Sequence, residues 1–343
     1  MATLKEVAEI SGVSVATVSR VLNDYQHVST ETRKKVLKAI KQLNYRPSRV
    51  ARRLRKRGAQ ILGLVIADIS NPYYSAVIQS IENIAYANKY SMLLCNSSEE
   101  PKRERMHLEI LIEEQVAGVI ISPVDEFSIS CKAFLDQGIP VVAIDRRFRN
   151  LEINSVLVDN VMGAFDATNH LIQLGHRRIG LIAGPSHLTT GRERQEGYEK
   201  AILENHLDLD TNLIKNGDFK QKSGYTITLE LLQGKDAPTA IFVSNNLMTL
   251  GSLNAIHDLG LRIPQDVAIV GFDDLSWAPS LNPPLTAVAQ PTHELGKWAV
   301  NLLLQGVTDN SREPVEIILK PSLIVRESCG YEKEKVYIQN KSA

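Results

Sequence analysis

Cysteine is scarce and scattered in this chain of 343 residues: Cys95, Cys131 and Cys329 are odd in number, far apart and without paired metal-ligand spacing. That argues against a disulfide framework or a thiolate metal site and fits free thiols in a reducing cytoplasm. Long apolar runs are missing as well. No stretch approaches the ~18 residues of a membrane span, and no apolar segment follows a basic start as in a secretory leader, so a cytoplasmic chain with no membrane partner is expected. A GxxxxGK[ST] phosphate loop, a GxSxG elbow and a GxGxxG after Ile61–Ile66 are all lacking, and the eight histidines do not cluster. These absences speak against an enzyme, and no cofactor or metal is expected. Net charge is absent too, since 39 Lys and Arg face 39 Asp and Glu.

The balance conceals a strong asymmetry. Residues 1–60 carry 14 Lys and Arg against 4 Asp and Glu, which leaves 25 against 35 for the rest of the chain. A basic N-terminal unit on an acidic body is the footprint expected where one end meets phosphate. Three short helices are predicted in that unit. Thr3 and Glu6 form a capping box ahead of Leu4, Val7 and Ala8; Gly12 breaks the run; Ser14 caps a second helix carrying Val18, Val21 and Leu22; Ser29 caps a third carrying Val36, Ile40 and Leu43. Helix, glycine-containing turn, helix, helix is the form of a helix-turn-helix. Pro47 ends the third helix, and six basic residues within Ser48–Arg57 surround Val50, Ala51 and Leu54. Those three apolar residues share one helical face, so a short helix that forms on DNA is expected in this linker.

From Ile61 the pattern becomes apolar strands alternating with amphipathic helices. Strands are predicted at Ile61–Ile66, Ser91–Leu94, Gly118–Ile121, Val141–Ile144, Ile179–Ala183, Ile214–Lys215, Ala240–Val243 and Val267–Val270. Helices are predicted at Ser75–Asn88, Lys102–Glu114, Ser128–Gln137, Arg192–Glu204, Ser223–Leu232 and Met248–Asp258. The expected fold class is α/β, with parallel sheets in two lobes. The stretch from Tyr331 to Ala343 is polar and has no leucine heptads, which argues against a tetramer built on that tail.

A family resemblance rests on particular residues. Thr3-Leu4-Lys5-Glu6-Val7-Ala8, Gly12-Val13-Ser14, Thr17-Val18-Ser19-Arg20-Val21, Leu22-Asn23, Val28-Ser29, Thr32-Arg33 and Asn44-Tyr45-Arg46-Pro47 resemble the headpiece of the lac repressor and purine repressor family, the LacI family. Further motifs run from Asp68-Ile69-Ser70-Asn71-Pro72 through Gly271-Phe272-Asp273-Asp274 to Gln290-Pro291, so the resemblance extends to about Gly330. It implies an all-α headpiece at 1–46, a hinge helix at 47–59 and a two-lobe, periplasmic-binding-protein-like domain at 60–330. The first lobe would take about 60–159 and 290–318, and the second about 160–289 and 319–330, leaving 331–343 as a tail. The implied function is that of a ligand-responsive repressor that binds double-stranded operator DNA as a homodimer, with the helix Ser75–Asn88 contributing to the pairing.

In the headpiece, Arg20 is the expected base reader, because a guanidinium pairs bidentately with guanine O6 and N7. Val15 and Ala16 occupy the other base-reading positions and can touch a thymine methyl. Thr3, Ser14, Thr17, Asn23, His27, Ser29 and Arg33 suit phosphates, which set register without carrying sequence. Without the motif, His27 reads as an ordinary surface histidine. In the linker Arg49, Leu54 and Arg55 are expected DNA contacts. By resemblance Leu54 wedges into the minor groove at a central CG step of a palindrome and kinks it.

The resemblance places a small-molecule effector in the cleft between the lobes. The matching positions are Asp68, Asn71, Tyr73, Tyr74, Asp145 and Arg146 from the first lobe, and Thr190, Arg194, Phe219, Asn246, Asp273 and Gln290 from the second. Carboxylates, amides and arginines bonding to hydroxyls, with an aromatic face on the apolar side of a ring, suit a small sugar. The purine-sensing branch has an arginine where Leu188 stands, which counts against a purine. Taken one at a time, Tyr73, Tyr74 and Phe219 read equally as core aromatics, and Asp145 and Arg194 as surface charges. Two alternatives stay open: a global catabolite regulator of the same family activated by a phosphocarrier protein, and a sugar-binding transport receptor. The transport receptor should have a leader and no basic headpiece.

Overall fold

A computed structural model describes residues 3–22, 25, 27–43, 45, 60–234, 236–309 and 313–330. Asn23, Arg49, Leu54 and Arg55, with the expected hinge helix and polar tail, lie outside the described residues. The chain divides into two compact units, Met1–Ala59 and Gln60–Ala343.

The described residues of the first unit form three helices, α1 (Leu4–Ser11), α2 (Val15–Leu22) and α3 (Thr30–Gln42). The start of α1 is fixed by its capping box: Glu6 N donates to Thr3 Oγ1 at 3.3 Å, and Thr3 N donates to Glu6 Oε2 at 2.6 Å. Its end is fixed by Gly12, whose φ of 68° closes the helix in the left-handed region. Ser14 Oγ accepts from Thr17 N, and Ser29 Oγ from Thr32 N, at the starts of the other two helices. Val7, Ala8, Val18, Val21, Val36 and Ala39 form the buried core. Leu4, Leu22, Ile40, Leu43 and Tyr45 pack half-buried against it, so the core is small and each cap adds measurably to stability. Thr3→Ala is expected to remove about 1 kcal/mol from this unit. The measurement is the headpiece transition in calorimetry of the full chain, and an unmoved transition would refute the assignment.

The second unit holds two six-stranded sheets. The first contains β1 (Ile61–Ile66), β2 (Ser91–Asn96), β3 (Gly118–Ile121), β4 (Val141–Ile144), β5 (Asn154–Val158) and β11 (Glu316–Leu319), in the order β11-β5-β4-β3-β1-β2, with every neighbouring pair parallel. The second contains β6 (Ile179–Ala183), β7 (Ile214–Asn216), β8 (Ala240–Val243), β9 (Ala268–Phe272), β10 (Thr286–Ala289) and β12 (Ser322–Ile324), in the order β12-β10-β9-β8-β6-β7, with only β12 antiparallel. Parallel sheets are covered on both faces, which is why their central strands are continuous apolar runs. Within β1, Leu62, Leu64 and Ile66 face one core while Val65 faces the other.

The helices of this unit are α4 (Pro72–Ala87), α5 (Pro101–Glu113), α6 (Lys132–Asp136), α7 (Asn160–Gln173), α8 (Thr189–Glu204), α9 (Gln221–Leu232), α10 (Asn246–Asp258) and α11 (Thr292–Thr308); α4, α5, α6 and α11 belong to the first lobe. The chain passes between sheets three times: after β5, after β10 and between β11 and β12. Several boundaries differ from the sequence reading. α4, α8 and α10 begin two to three residues earlier than predicted, at Pro72, Thr189 and Asn246. Their first turns carry polar or cleft-facing side chains, and these interrupt the apolar stripe that marks a helix. The helix predicted at Ser128–Gln137 shrinks to Lys132–Asp136, because Ser128 Oγ accepts from Ser130 N and turns the chain there. The strand predicted at Val267–Val270 is shifted to Ala268–Phe272, and β2 runs on to Asn96.

Candidate functional site: the interlobe cleft and the headpiece surface

The cleft of the second unit is built from loops that leave the C-terminal ends of parallel strands, where open α/β sheets bind ligands. β1 leads to Asp68, Asn71, Tyr73 and Tyr74; β2 to Glu99; β4 to Asp145 and Arg146. In the second lobe, α8 after β6 supplies Thr190 and Arg194, the loop after β7 Phe219 and Lys220, and the ends of β8, β9 and β10 Asn245, Asp273 and Gln290. These residues enclose a cavity of about 30 Å³. A larger groove, of about 1050 Å³, lies on the second lobe among Leu253, Ile256, Leu261, Ile263 and Leu281. It lacks a comparable convergence of charged groups, so size does not single out the functional site.

Eleven of the twelve cleft residues expected from sequence line this cavity. Asn246 stands just behind, its Nδ2 donating to Asn71 Oδ1 of the opposite lobe at 2.8 Å. Asn245 takes the lining position and caps α10, accepting from Met248 N at 2.9 Å. Glu99, Lys220 and Asn245 escaped the sequence reading. Ending β2 at Leu94 hid the loop that carries Glu99, whereas Lys220 and Asn245 adjoin residues already singled out.

Backbone geometry marks the same place. Eight described non-glycine residues have positive φ. Lys89, Gln115 and His206 directly follow helix C-caps, where that conformation is common. The other five are Ser98 (53°), Glu99 (61°), Asp145 (64°), Phe219 (63°) and Asp273 (74°), all at or beside the cleft. Left-handed conformations cost of order 1–3 kcal/mol each and cluster where a site needs them. Phe219 also depends on Gly184, since a Cβ at Gly184 would overlap its ring.

Most of the charged groups are held in fixed pairs. Glu99 takes both terminal nitrogens of Arg146 at 2.7 Å, a bidentate pair. Tyr74 donates to Asp145 Oδ2 at 3.0 Å and lies 2.9 Å from Ser122 Oγ. Arg194 donates from Nε to Asn160 Oδ1 at 2.9 Å and from Nη1 to Ser244 O at 2.6 Å, with its guanidinium 3.7 Å above the Phe272 ring. Lys220 reaches across the cleft to the Asp68 carboxylate. Farther along the lobe interface the buried Glu126 accepts from Arg149 in its own lobe and from Thr189 and Arg192 in the other. Burial pushes the Glu126 carboxyl up, but these three donors outweigh it and hold the group below the usual range.

Burial acts most strongly on one carboxyl and two phenols of the cleft. It lifts Asp273 above the usual carboxylate range, against the pull of Arg194, and raises Tyr73 and Tyr74 well above theirs, with the charge of Asp145 adding to both. Four buried polar atoms at the cleft have no hydrogen-bond partner: Tyr73 OH, Arg146 Nε, Asn246 Oδ1 and Gln290 Oε1. Unpartnered buried polar atoms are costly, and such a group at one place is a mark of ligand recognition. Leu188 is buried in the core of the second lobe.

On the headpiece, Thr3, Ser14, Val15, Ala16, Arg20, His27 and Ser29 are exposed, while Thr17 and Arg33 are half-buried. Arg33 donates to Tyr25 O at 3.0 Å, and Tyr25 meets His27 edge to face. The hydroxyls of Thr3, Ser14 and Ser29 already serve as helix caps. Among the described residues no helix is long and apolar enough to cross a membrane, and no cluster of His, Cys, Asp and Glu could hold a metal ion.

Comparison with known proteins bears on both units. A family profile described as "Bacterial regulatory proteins, lacI family" matches residues 3–48, and one described as "Periplasmic binding protein-like domain" matches residues 168–329. The chain is 37% identical over 335 residues to the HTH-type transcriptional repressor PurR of Haemophilus influenzae (strain PittEE), covering 96% of this chain and 98% of that protein. Its structure is similar to that of the lac repressor dimer bound to operator and the anti-inducer ONPF, with a TM-score of 0.83, 31% identity and coverage of 96% and 99%. A regulator of the same family from Enterococcus faecium, solved with bound ribose, gives a TM-score of 0.70 at 28% identity, covering 78% of this chain and 98% of that one. The chain therefore belongs to the LacI family of bacterial regulatory proteins and is a DNA-binding transcriptional repressor rather than an enzyme.

Proposed function

We propose that this repressor binds a palindromic operator as a homodimer in the cytoplasm and is released from it by a small sugar held in the interlobe cleft. The observation that carries the ligand class is the convergence of Asp145, Arg146, Arg194 and Asp273 with the amide of Gln290 and the rings of Tyr73 and Phe219. Carboxylates and guanidinium groups together match hydroxyls that each donate and accept, and an aromatic ring covers the apolar face of a sugar. The ribose-bound relative supports this class. Burial of Leu188 in the core, at the position where the purine-sensing branch has arginine, counts against a purine. Pairing of two chains is supported by exposed apolar side chains on three elements of the first lobe: Tyr86 of α4, Leu94 of the edge strand β2 and Ile110 of α5.

In this reading residues 1–46 read DNA, 47–59 form the hinge, and closure of the lobes changes the spacing of the two hinges. Ligand and operator binding are then thermodynamically linked and reciprocal. The test is fluorescence anisotropy on an operator selected from random palindromic DNA, with D-ribose, other pentoses and hexoses, and hypoxanthine added in turn. A sugar that releases the DNA supports the proposal; release by hypoxanthine alone refutes the sugar. Arg20→Ala is expected to cost about 1–3 kcal/mol per half-site and to relax preference at one base pair only. An equal loss on all sequences would reassign Arg20 to a phosphate.

A further inference from the structure

We propose that the cleft excludes anionic ligands, and that Glu99 and Asp68 impose this by occupying cations a phosphate would need. The inference deepens the ligand-cleft reading above and rests on it. Seven charged residues line the cavity: Asp68, Glu99, Asp145 and Asp273 against Arg146, Arg194 and Lys220. The formal balance is −1, and two of the three cations are paired with carboxylates. Both terminal nitrogens of Arg146 lie on Glu99, with its Nε 3.6 Å from Asp145 Oδ2. Lys220 lies on Asp68. Arg194 is tied to Asn160 and to Ser244 O, and its charge is felt by Asp273.

Helix N-termini are the other common source of anion affinity, and at this cleft Asn245 caps α10 and Asn71 caps α4, each with its own side-chain oxygen. The Glu126 carboxylate, bonded to the Thr189 hydroxyl, adds a negative charge beside the start of α8. A phosphate entering here would be an anion added to an excess of carboxylates, with two of the three cations already paired to one. The four unpartnered atoms, by contrast, comprise one hydroxyl, one N–H donor and two amide oxygens. That set suits a neutral ring bearing hydroxyl or N–H groups. Glu99 is held to its task by the consecutive positive φ values of Ser98 and itself.

Calorimetric titration of the full chain with two matched pairs tests this: D-ribose against D-ribose 5-phosphate, and inosine against inosine 5′-monophosphate. In whichever pair binds, the neutral member is expected to be preferred by at least roughly 100-fold, the scale of an uncompensated buried charge. Glu99→Gln frees the charge of Arg146, and Asp68→Asn that of Lys220. Either variant should narrow the preference about tenfold or more. An anionic member that binds wild type within tenfold of its neutral partner overturns the proposal. An unchanged ratio in the variants overturns the assignment to Glu99 and Asp68. Neutral preference confined to the inosine pair leaves this inference standing and counts against a free sugar as the ligand.

Discussion

Replacing Arg194 by alanine is expected to destabilise the second unit by about 3–5 kcal/mol and to abolish its ligand response. The side chain is 3% exposed, and its contacts join three separate segments: Asn160 at the start of α7, the Ser244 carbonyl after β8 and the Phe272 ring at the end of β9. Loss of the guanidinium leaves the Ser244 carbonyl and the Asn160 amide short of a donor and leaves Asp273 buried without the charge that opposes its desolvation. Asp273 then has to protonate or open the cleft to water. Denaturant unfolding of the full chain measures the first effect, and thermal shift with the identified effector the second. Arg194→Lys should recover part of the stability through its charge but little of the ligand response, since a point charge cannot make the two anchored bonds. A loss below about 1 kcal/mol for the alanine variant would mean that Arg194 is a surface charge after all.

Gly251→Leu is the second large effect, and it arises from backbone rather than charge. α9 and α10 cross so closely that a Cβ on Gly251 would overlap the backbone oxygen of Gln221, and one on Gly224 would overlap that of Met248. A flexible side chain could move aside; a helix backbone cannot without separating the two helices. The expected cost is about 3 kcal/mol, read as a lower denaturation midpoint. Because Asn245 and Asn246 sit at the start of α10, displacement of that helix should also weaken ligand binding from a site far from the ligand. Retention of wild-type midpoint and affinity would show that the two helices can part without consequence.

The central strands and the headpiece caps were legible because their signals are local. An apolar run such as Val141–Ile144 is a strand buried on both faces whatever lies beside it, and Thr3 with Glu6 closes a capping box within four residues. Segments whose structure depends on a distant partner went unread. β10 is Thr-Ala-Val-Ala, too short and small to announce itself, and it exists because β9 and β12 flank it. β11 has alternating burial at a sheet edge and takes its register from β5, which precedes it by some 160 residues. The long helices α7 and α11 start where the chain changes sheets.

Sequence by itself determined the charge asymmetry, the helix-turn-helix, the α/β class and, through family motifs, the positions that line the cleft. Tertiary structure alone decided the pairings within it. Glu99 meets Arg146 across 47 positions, Glu126 meets Arg192 across 66, and Lys220 meets Asp68 across 152. A residue's type shows which bonds it can make, but which partner it finds depends on where strand ends meet, within one sheet or between the two, and no local pattern encodes that distance.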